Sequence, residues 1–351
     1  MGRLQPRRIA VFRALQLGDL LCSIPALRAL REAWPDAHVT LIGLENAAGF
    51  VARFSAYIDE LMIFPGVEGM PEQAPRPEMM PAFFAEARAR RFDLAIQLHG
   101  SGQQVNAIVD QLGAAVTAGF KPAPDSPAPS PCFMPWPGRL PEPMRYTALM
   151  EFLGIPVHDL RLAFPLSDPD RAGCESLLRA MSLTPNRTVV MHPGARLESR
   201  RWPVECFAAV ASRLVDAGWQ VAVTGSEAEQ DLTGSMIALA GVPLTDLTAR
   251  TSLGTLAALL ARCRLLVCND TGVSHVAAAV GAESVVVASG SDVARWAPLD
   301  RQRHRVLWHD VPCRPCAHRV CPTGHECAAA ILPDAVLDAA MDKLHRETSH
   351  A

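Results

Sequence analysis

The residues from Asp270 to His275 read Asp-Thr-Gly-Val-Ser-His and directly follow an apolar run, Leu265–Val267. An apolar helical pattern opens within the same segment, so the spacing predicts a strand, a tight turn and the N-terminus of a helix. A helix leaves its first N–H groups unpaired and carries partial positive charge at that end. Thr271, Ser274 and His275 would add side-chain donors. The segment therefore predicts an anion site that suits a diphosphate.

Two arginines and one aspartate occupy other predicted strand-to-helix turns. Arg200 and Arg201 precede Pro203, a residue favoured in the first turn of a helix. A guanidinium at that place can grip phosphate through paired donors, although both arginines could equally be solvated surface charges. Asp19 follows Gly18 after a buried apolar strand. It can cap the following helix, accept a proton from an incoming hydroxyl, or do both.

Two glutamates, Glu227 and Glu229, follow Gly225 at the end of another predicted strand. A carboxylate there can accept hydrogen bonds from ribose hydroxyls, as the acidic residue of dinucleotide folds does. The alternative is an acid that the helix dipole favours in the first turn of a helix. A lone histidine is more often a packed or capping residue. His275 is nevertheless predicted to contact phosphate or sugar, because Asp270–Gly272 precedes it.

Four cysteines near the C-terminus have the spacing C-x2-C-x4-C-x5-C, with two histidines interleaved. They are Cys313, Cys316, Cys321 and Cys327, with His318 and His325 between them. Four thiolates this close suit a tetrahedral zinc ion or an iron–sulfur cluster. The spacing matches no common zinc or ferredoxin signature closely, so reduced thiols in a proline-rich loop are the alternative.

Size, charge and hydropathy narrow the class of protein. The 351 residues suit two domains, and the net charge of −3 argues against a nucleic-acid partner. No apolar run reaches the ~18 residues that span a bilayer. Arg13 and Asp19 interrupt the apolar stretch after the basic N-terminus, unlike a signal peptide, so we expect a cytoplasmic protein with reduced or metal-bound cysteines. The chain lacks G-x-G-x-x-G and P-loop motifs, which weakens oxidoreductase and nucleoside triphosphatase interpretations.

Apolar runs and helical patterns alternate along the chain, which predicts an α/β fold with doubly wound parallel sheets. The alternation restarts at a strand, residues 188–191, after a break near residues 165–169. We therefore predict two Rossmann-like domains, 1–166 and 167–332, and a C-terminal helix in 333–351 that packs back on the first domain. Because open α/β sheets bind ligands at the carboxyl ends of their strands, both domains should face one cleft with those edges.

A proline-rich stretch lies in the first predicted domain. Residues 122–143 contain nine prolines. Since proline lacks an N–H group, the stretch is not expected to form a helix or a central strand. It is interpreted as a surface loop or as a loop that closes over a second substrate.

Taken together, these motifs resemble those of the bacterial family 9 glycosyltransferases, the group that includes the ADP-heptose:lipopolysaccharide heptosyltransferases. The matching segments are Arg13–Asp19 with Ile24–Leu27, His192–Ala195, Arg200–Pro203, Gly225–Glu229 and Asp270–His275. The similarity extends from about residue 8 to residue 345. The cysteine-rich stretch also resembles one found in part of this family.

The resemblance implies a GT-B fold, with the acceptor on the first domain and the nucleotide-sugar on the second, and an inverting, metal-independent transfer. Asp19 matches the general base of the family, and Arg200 stands where a lysine usually contacts donor phosphate. Glu227 matches a ribose contact and Thr251 a residue near the adenine. The donor phosphate and sugar contacts match Asp270, Thr271, Gly272 and His275.

The implied reaction moves a sugar, heptose from ADP-heptose, onto a lipopolysaccharide-core or related glycan acceptor without a cofactor. Such an acceptor is membrane-linked, so the resemblance also implies transient contact with the inner face of the inner membrane, with Arg3, Arg7 and Arg8 near anionic lipid. The alternatives are transfer from a different nucleotide-sugar, a non-catalytic nucleotide-sugar-binding protein, and a metal-binding redox or sensing protein built on the four cysteines.

Overall fold

The structure is a computed structural model that describes residues 4–345. The chain divides into two compact units between Leu162 and Ala163, slightly before the predicted boundary at residue 166. Each unit contains a six-stranded sheet, and all neighbouring strands in it run parallel. Two parallel sheets covered by helices are what the alternating pattern predicts, so the α/β class is confirmed.

Within residues 4–162, the first unit contains six strands and six helices. Its strands are Arg8–Phe12 (β1), His38–Gly43 (β2), Glu60–Ile63 (β3), Leu94–Gln97 (β4), Val116–Lys121 (β5) and Phe133–Pro135 (β6). Its helices are Leu17–Cys22 (α1), Ile24–Ala33 (α2), Ala48–Arg53 (α3), Met80–Ala89 (α4), Asn106–Gln111 (α5) and Glu142–Phe152 (α6), with 3-10 turns at Glu45–Ala47 and Pro77–Met79. The strand order is β3-β2-β1-β4-β5-β6.

The second unit repeats this arrangement. Its strands are Thr188–His192 (β7), Gln220–Val223 (β8), Thr245–Asp246 (β9), Leu265–Asn269 (β10), Ser284–Val287 (β11) and His304–Leu307 (β12). Its helices are Asp168–Ala180 (α7), Val204–Asp216 (α8), Gln230–Ala240 (α9), Leu253–Leu260 (α10), Gly272–Val280 (α11), Val293–Trp296 (α12), Glu326–Ala329 (α13) and Pro333–His345 (α14), with 3-10 turns at Pro185–Arg187, Glu198–Arg200 and Glu227–Glu229. The strand order is β12-β11-β10-β7-β8-β9.

The two sheets have the same strand order when the strands of each unit are numbered from the first strand of that unit. The chain changes direction of winding between β1 and β4 in the first sheet and between β7 and β10 in the second. At these points Phe12 lies beside Gln97, and His192 lies beside Cys268. Ligands of open α/β sheets bind at the carboxyl ends of the strands next to such a switch point. The topology therefore predicts that ligand-binding residues lie in the turns after β1, β4, β7 and β10.

Local sequence explains where several helices begin. Ser167 caps α7 in a capping box with Asp170, and a proline occupies its first turn. The predicted N-cap Ser252 is confirmed, because its side chain accepts a hydrogen bond from the N–H of Thr255 at the start of α10. Within residues 4–345, each helix is too short or too polar to cross a membrane.

The proline-rich stretch is a loop over most of its length, but it also contains β6 and the first residues of α6. β6 is the edge strand of the first sheet. An edge strand has one side without a ladder partner, so proline can occur there without breaking the sheet. The prediction that this stretch forms no central strand is confirmed, whereas the prediction that it forms no helix is wrong at Glu142 and Pro143, because proline is tolerated in the first turn of α6.

The C-terminal helix α14 packs in the second unit, against α8, β10 and β11. Its Val336, Ala340 and Leu344 join the apolar core that also contains Trp202 and Phe207. The predicted packing of this helix on the first domain stays a prediction. Residues 346–351 of the predicted segment, and Arg3, lie outside the described residues.

Candidate active site

Asp19 lies in α1, directly after the carboxyl end of β1, and its side chain is half-buried. The N-cap of α1 is Gln16, so Asp19 occupies the first turn of the helix instead of the cap. The interpretation of Asp19 as the N-cap is therefore wrong. An acid in the first turn of a helix is still favoured by the helix dipole.

Arg13 fixes the backbone of this turn. Its side chain is 1% exposed. Nε donates to the carbonyl oxygen of Asp19 at 2.8 Å, Nη2 donates to the same oxygen, and Nη1 donates to the carbonyl of Leu98. One buried guanidinium thus connects the end of β4 to the turn of α1. The position of Asp19 follows from the position of Arg13.

Helix α6 compensates the buried charge of Arg13. The guanidinium carbon lies 4.3 Å from the ring centroid of Tyr146, and Nη2 lies 3.9 Å from Oε1 of Glu142. Tyr146 donates its hydroxyl proton to Glu142, and Nη1 of Arg145 donates to Oε2 of Glu142 at 3.3 Å. Burial lowers the pKa of Arg13, but Tyr146, Asp19 and Glu142 outweigh it and raise that pKa. Buried charges are tolerated only when they are paired in this way.

His99 follows β4 at the same edge of the sheet, with its ring centroid 5.7 Å from that of Phe12. Burial, and secondarily the charge of Arg13, lowers the pKa of His99 to about 3. The imidazole is therefore neutral at neutral pH. Its Nδ1 is buried and has no hydrogen-bond partner among the described residues.

In the second unit, Asn269 joins three segments at the switch point. It is the fully buried last residue of β10. Its Nδ2 donates to the carbonyl of Pro193 at 2.7 Å, and its Oδ1 accepts from the N–H of Trp202 at 2.8 Å. The indole N–H of Trp202 in turn donates to the carbonyl of Ile331 at 2.9 Å. The loop after β7 and the start of α8 are thereby fixed beside the end of β10.

The segment predicted as an anion site does form a strand end, a turn and the N-terminus of α11. Oγ1 of Thr271 accepts from the N–H of Val273 at 3.3 Å, and Oγ of Ser274 donates to the carbonyl of Thr271 at 2.7 Å. Ser274 is fully buried and uses its hydroxyl proton inside the turn, so the prediction of Ser274 as a ligand donor is wrong. His275 is buried, with its ring edge-on to Trp296 at 6.1 Å.

The structure separates the roles of the two neighbouring arginines. Both lie near the α11 turn, because the N–H of Trp202, the next residue, donates to Oδ1 of Asn269, which directly precedes Asp270. Burial lowers the pKa of Arg200, and the charge of Asp270 opposes this. Its Nη2 donates to the carbonyl of Cys316 at 3.0 Å, while its buried Nε has no partner among the described residues. Arg201 instead donates from Nε to the carbonyl of Ala195 at 2.9 Å and secures its own loop. Arg200 is therefore the arginine that remains for a ligand.

The two glutamates after β8 also differ. Oε2 of Glu229 accepts from the N–H and the hydroxyl of Ser226, each at 2.8 Å, in a capping box. A Cβ on Gly194 would lie 1.9 Å from Oε1 of Glu229, so the carboxylate is also packed against that backbone. Glu229 has the structural role that the sequence left open. Glu227 is exposed at the start of the 3-10 turn and stays the predicted ribose contact, and Thr251 is half-buried just before α10.

The residues predicted to contact the donor lie at one edge of the second sheet. Arg200 follows β7, Glu227 follows β8, and Asp270–His275 follows β10, while Thr251 lies between β9 and α10. Since the carboxyl ends of parallel strands meet at one edge, the spacing of these turns in the sequence is sufficient to bring them to that edge. Asp19 lies at the equivalent edge of the first sheet. The individual role of each residue remains a prediction.

The four cysteines of the predicted metal site lie in a loop that precedes α13 and in α13 itself. Burial raises the pKa of Cys327, and the charge of Arg314 partly opposes this. Sγ of Cys321 accepts from the backbone N–H of His325 at 3.2 Å, and Nε2 of His325 faces the carbonyl of Ser199 at 2.9 Å. Within residues 4–345, no group of three or more His, Cys, Asp or Glu side chains is arranged to bind a metal ion. The structure thus does not support the zinc or iron–sulfur prediction.

Several residues that secure the site were not predicted from the sequence. Glu142, Arg145 and Tyr146 have i, i+3 and i+4 spacing, which places them on one face of a helix and is a usable signal. Asn269 ends a buried apolar strand, where an amide side chain indicates that backbone groups need partners. His325 is visible in the sequence only as a residue between cysteines.

Comparisons with known proteins agree with this geometry. A family model described as glycosyltransferase family 9 (heptosyltransferase) matches residues 80–326. The lipooligosaccharide heptosyltransferase 2 of Campylobacter jejuni is 25% identical over 159 residues, which make up 44% of this chain and 50% of that protein. The chain therefore spans about half the length of the first curated relatives that it matches.

Solved structures show the same fold. A family 9 glycosyl transferase from Veillonella parvula superposes with a TM-score of 0.78 at 22% identity, covering 96% of this chain and 97% of the other. The ADP-heptose lipopolysaccharide heptosyltransferase II of Escherichia coli gives a TM-score of 0.70 at 20% identity, covering 96% and 98%. The fold is thus the GT-B type that the resemblance implied. Because the family model matches well over half of its residues, the chain belongs to glycosyltransferase family 9.

Proposed function

We propose that this chain is an inverting, metal-independent glycosyltransferase that moves heptose from ADP-heptose onto a hydroxyl of a lipopolysaccharide-core or related glycan. Membership of the family supports glycosyl transfer, and the curated relatives are named heptosyltransferases. The observation that carries the proposal is the contact between the loop of Arg200 and the end of β10, at the switch point of the second sheet. There the N–H of Trp202 donates to Oδ1 of Asn269, which lies directly before the turn that begins α11.

This arrangement suits a nucleoside diphosphate that leaves during the reaction. As the glycosidic bond breaks, negative charge grows on the diphosphate. The nine-residue α11 directs its first N–H groups toward that place, and Arg200 offers a charged donor with an unpartnered Nε. Fixed donors of this kind stabilise developing charge without a metal ion. In the proposed complex, Glu227 binds the ribose, Thr251 lies near the adenine, and Asp270, Thr271, Gly272 and His275 contact the phosphates and the sugar.

Asp19 is proposed as the general base. In an inverting transfer, the acceptor hydroxyl attacks the anomeric carbon from the side opposite the leaving diphosphate, and one base removes its proton. The hydrogen bonds from Arg13 go to the backbone carbonyl of Asp19, so they orient the turn without depending on the carboxylate. A positioned base typically accelerates such a step by ~10²–10⁴-fold.

A membrane-linked acceptor would bring the protein to a lipid surface. Arg7 and Arg8 are exposed at the amino end of β1, whereas Asp19 follows the carboxyl end of the same strand. Nη1 of Arg8 donates to the carbonyl of Arg90 at 2.8 Å. These two arginines thus lie at the opposite end of the strand from the proposed base. Their contact with anionic lipid remains a separate proposal, which binding of an Arg7→Ala, Arg8→Ala variant to anionic vesicles would test.

The experiment that tests the donor site uses the two neighbouring arginines as a matched pair. Arg200→Ala should weaken ADP binding by about 10- to 100-fold, because it removes charge-assisted hydrogen bonds to the diphosphate. Arg201→Ala should change it by less than about threefold, because this side chain donates to its own loop. Titration calorimetry with ADP measures both. Equal losses for the two variants would contradict the proposed donor site.

The identity of the donor is tested with a panel of nucleotide-sugars. A ligand stabilises the folded state in proportion to its occupancy, so the true donor should raise the melting temperature most at equal concentration. We expect ADP-heptose to rank above UDP- and GDP-sugars. A UDP- or GDP-sugar in first place would keep the transferase assignment and replace the donor.

A further inference from the structure

The cysteine-rich segment, residues 313–327, encloses Ser199, the residue before the donor-site arginine. Ser199 is 2% exposed. Its N–H donates to the carbonyl of Arg319 at 3.1 Å, and its hydroxyl donates to the carbonyl of His318 at 2.6 Å. Its own carbonyl accepts from Nε2 of His325 at 2.9 Å. The N–H, the hydroxyl and the carbonyl of Ser199 are therefore all bonded to this segment.

The cysteine-rich segment also contacts Arg200 itself. Nη2 of Arg200 donates to the carbonyl of Cys316 at 3.0 Å, and the N–H of Cys316 donates to the carbonyl of Gly290 at 2.7 Å. A Cβ on Gly290 would lie 2.7 Å from Cβ of Cys316 and 3.6 Å from Cδ of Arg200. The arginine side chain, the cysteine-rich segment and the loop after β11 therefore pack closely together.

His325 is the only one of these partners that acts on Ser199 through its side chain. Because a carbonyl can only accept, Nε2 of His325 carries the proton in this hydrogen bond. The residue adopts the left-handed conformation, with φ of 60°, and its carbonyl accepts from the N–H groups of Ala328 and Ala329, each at 3.0 Å. Residues other than glycine are uncommon in this region, and such positions cluster at functional sites.

We propose that His325 is a positioning residue for Arg200. Its imidazole secures the carbonyl of Ser199 and, through the adjacent peptide, keeps the guanidinium beside the turn of α11. The inference rests on the proposed role of Arg200 at the donor diphosphate. His318 and Arg319 contact Ser199 only through their backbone carbonyls, so their side chains are not proposed to position Arg200.

Three variants test the hydrogen bond to Ser199. His325→Asn keeps a residue that tolerates the left-handed conformation but is too short to donate to Ser199. His325→Gln retains an amide donor near the position of Nε2. His318→Ala, in the same segment and exposed, is the control. We expect His325→Asn to weaken ADP binding by about three- to tenfold and the other two to stay within about twofold of the wild type.

A double-mutant cycle separates positioning from general support of the fold. If His325 acts through Arg200, then His325→Asn in an Arg200→Ala background should weaken ADP binding by less than about twofold. The same loss in both backgrounds would show that His325 acts independently of Arg200 and would overturn the proposal.

Hydrogen exchange supplies a readout that does not require a nucleotide. The amide of Ser199, and those of the two arginines after it, should exchange at least about tenfold faster in His325→Asn than in His318→Ala, because the loop opens more often. Unchanged exchange would overturn the proposal whatever binds at the site. If exchange is faster while Arg200→Ala leaves ADP binding intact, His325 does secure this loop and the proposed donor site is what fails.

Discussion

The two sheets have the same strand order, but the turns at their carboxyl edges are secured by different chemistry. In the first unit, the buried ion pair of Arg13 and Glu142 fixes the turn of Asp19. In the second unit, the uncharged amide of Asn269 and the hydrogen bonds between Ser199 and residues 313–327 fix the loop of Arg200. A buried carboxylate in the position of Asn269 would add an anion where an anionic ligand is expected to bind. An amide supplies a donor and an acceptor without that charge.

The two edges also share one device, a buried amide at the last residue of the fourth strand. Gln97 ends β4, where its Oε1 accepts from the N–H of Phe120 at 3.1 Å and its Nε2 donates to the carbonyl of His99. Asn269 occupies the corresponding place in β10. Each amide accepts from one backbone N–H group and donates to one backbone carbonyl near the end of its strand. The two edges therefore share a buried amide, whereas the charged residues distinguish the proposed base from the donor site.

The largest expected effect is on the base. Asp19→Asn should lower the turnover number by about 10²–10⁴-fold, because the amide cannot accept the acceptor proton. Its binding of ADP should equal that of the wild type, since the nucleotide is proposed to bind the second unit. Steady-state kinetics and calorimetry measure the two quantities, with the exposed Asp36→Asn as the control. Parallel loss of ADP binding and turnover would refute the assignment.

The ion pair and the amide should differ in what they contribute to stability. Arg13→Met leaves the charge of Glu142 without one of its partners and should lower the free energy of unfolding by about 3–5 kcal/mol. Asn269→Leu leaves backbone groups unpaired and should cost about 1–3 kcal/mol. Urea denaturation measures both, and the exposed Arg7→Met should stay within about 0.5 kcal/mol of the wild type. A smaller loss for Arg13→Met than for Asn269→Leu would reverse the comparison.

Acid should destabilise the first unit through His99. Its pKa is about 3 in the folded state against an ordinary value of 6.5, so the unfolded chain binds this proton first as the pH falls. Stability is therefore complete above pH 6.5 and declines toward pH 3, with a slope that approaches about 1.4 kcal/mol per pH unit. His99→Gln should reduce that slope between pH 6 and pH 4, whereas replacement of the exposed His158 by Gln should not.

His304 in the second unit should also contribute to the acid sensitivity of the fold. Burial lowers the pKa of His304 to about 4, with Asp300 opposing the shift. Protonation of His304 should therefore also lower the free energy of unfolding as the pH falls, but over a narrower pH range than for His99. If both single variants, His99→Gln and His304→Gln, leave the acid slope of unfolding unchanged, the acid sensitivity comes from other groups.

The sequence by itself determined the alternation of strands and helices, the two repeats of the fold, and the turns that carry Asp19, Arg200 and Asp270–His275. These features depend on local spacing, because apolar periodicity and turn residues act over a few positions along the chain. The motifs in those turns were also sufficient to indicate the family. Local spacing did not predict the contacts of α14 with α8, β10 and β11, because the surfaces available in the folded chain decide where a weakly apolar helix packs.

Only the tertiary structure decided which member of each charged pair remains for a ligand. Arg200 packs against Cys316, 116 residues away, and keeps an Nε without a partner among the described residues, whereas Arg201 uses its Nε within its own loop. The capping box that occupies Glu229 is packed against the backbone of Gly194. Partners so distant in sequence leave no local signature. For the same reason, the sequence alone does not indicate the role of His325, because its partner Ser199 is distant in the sequence.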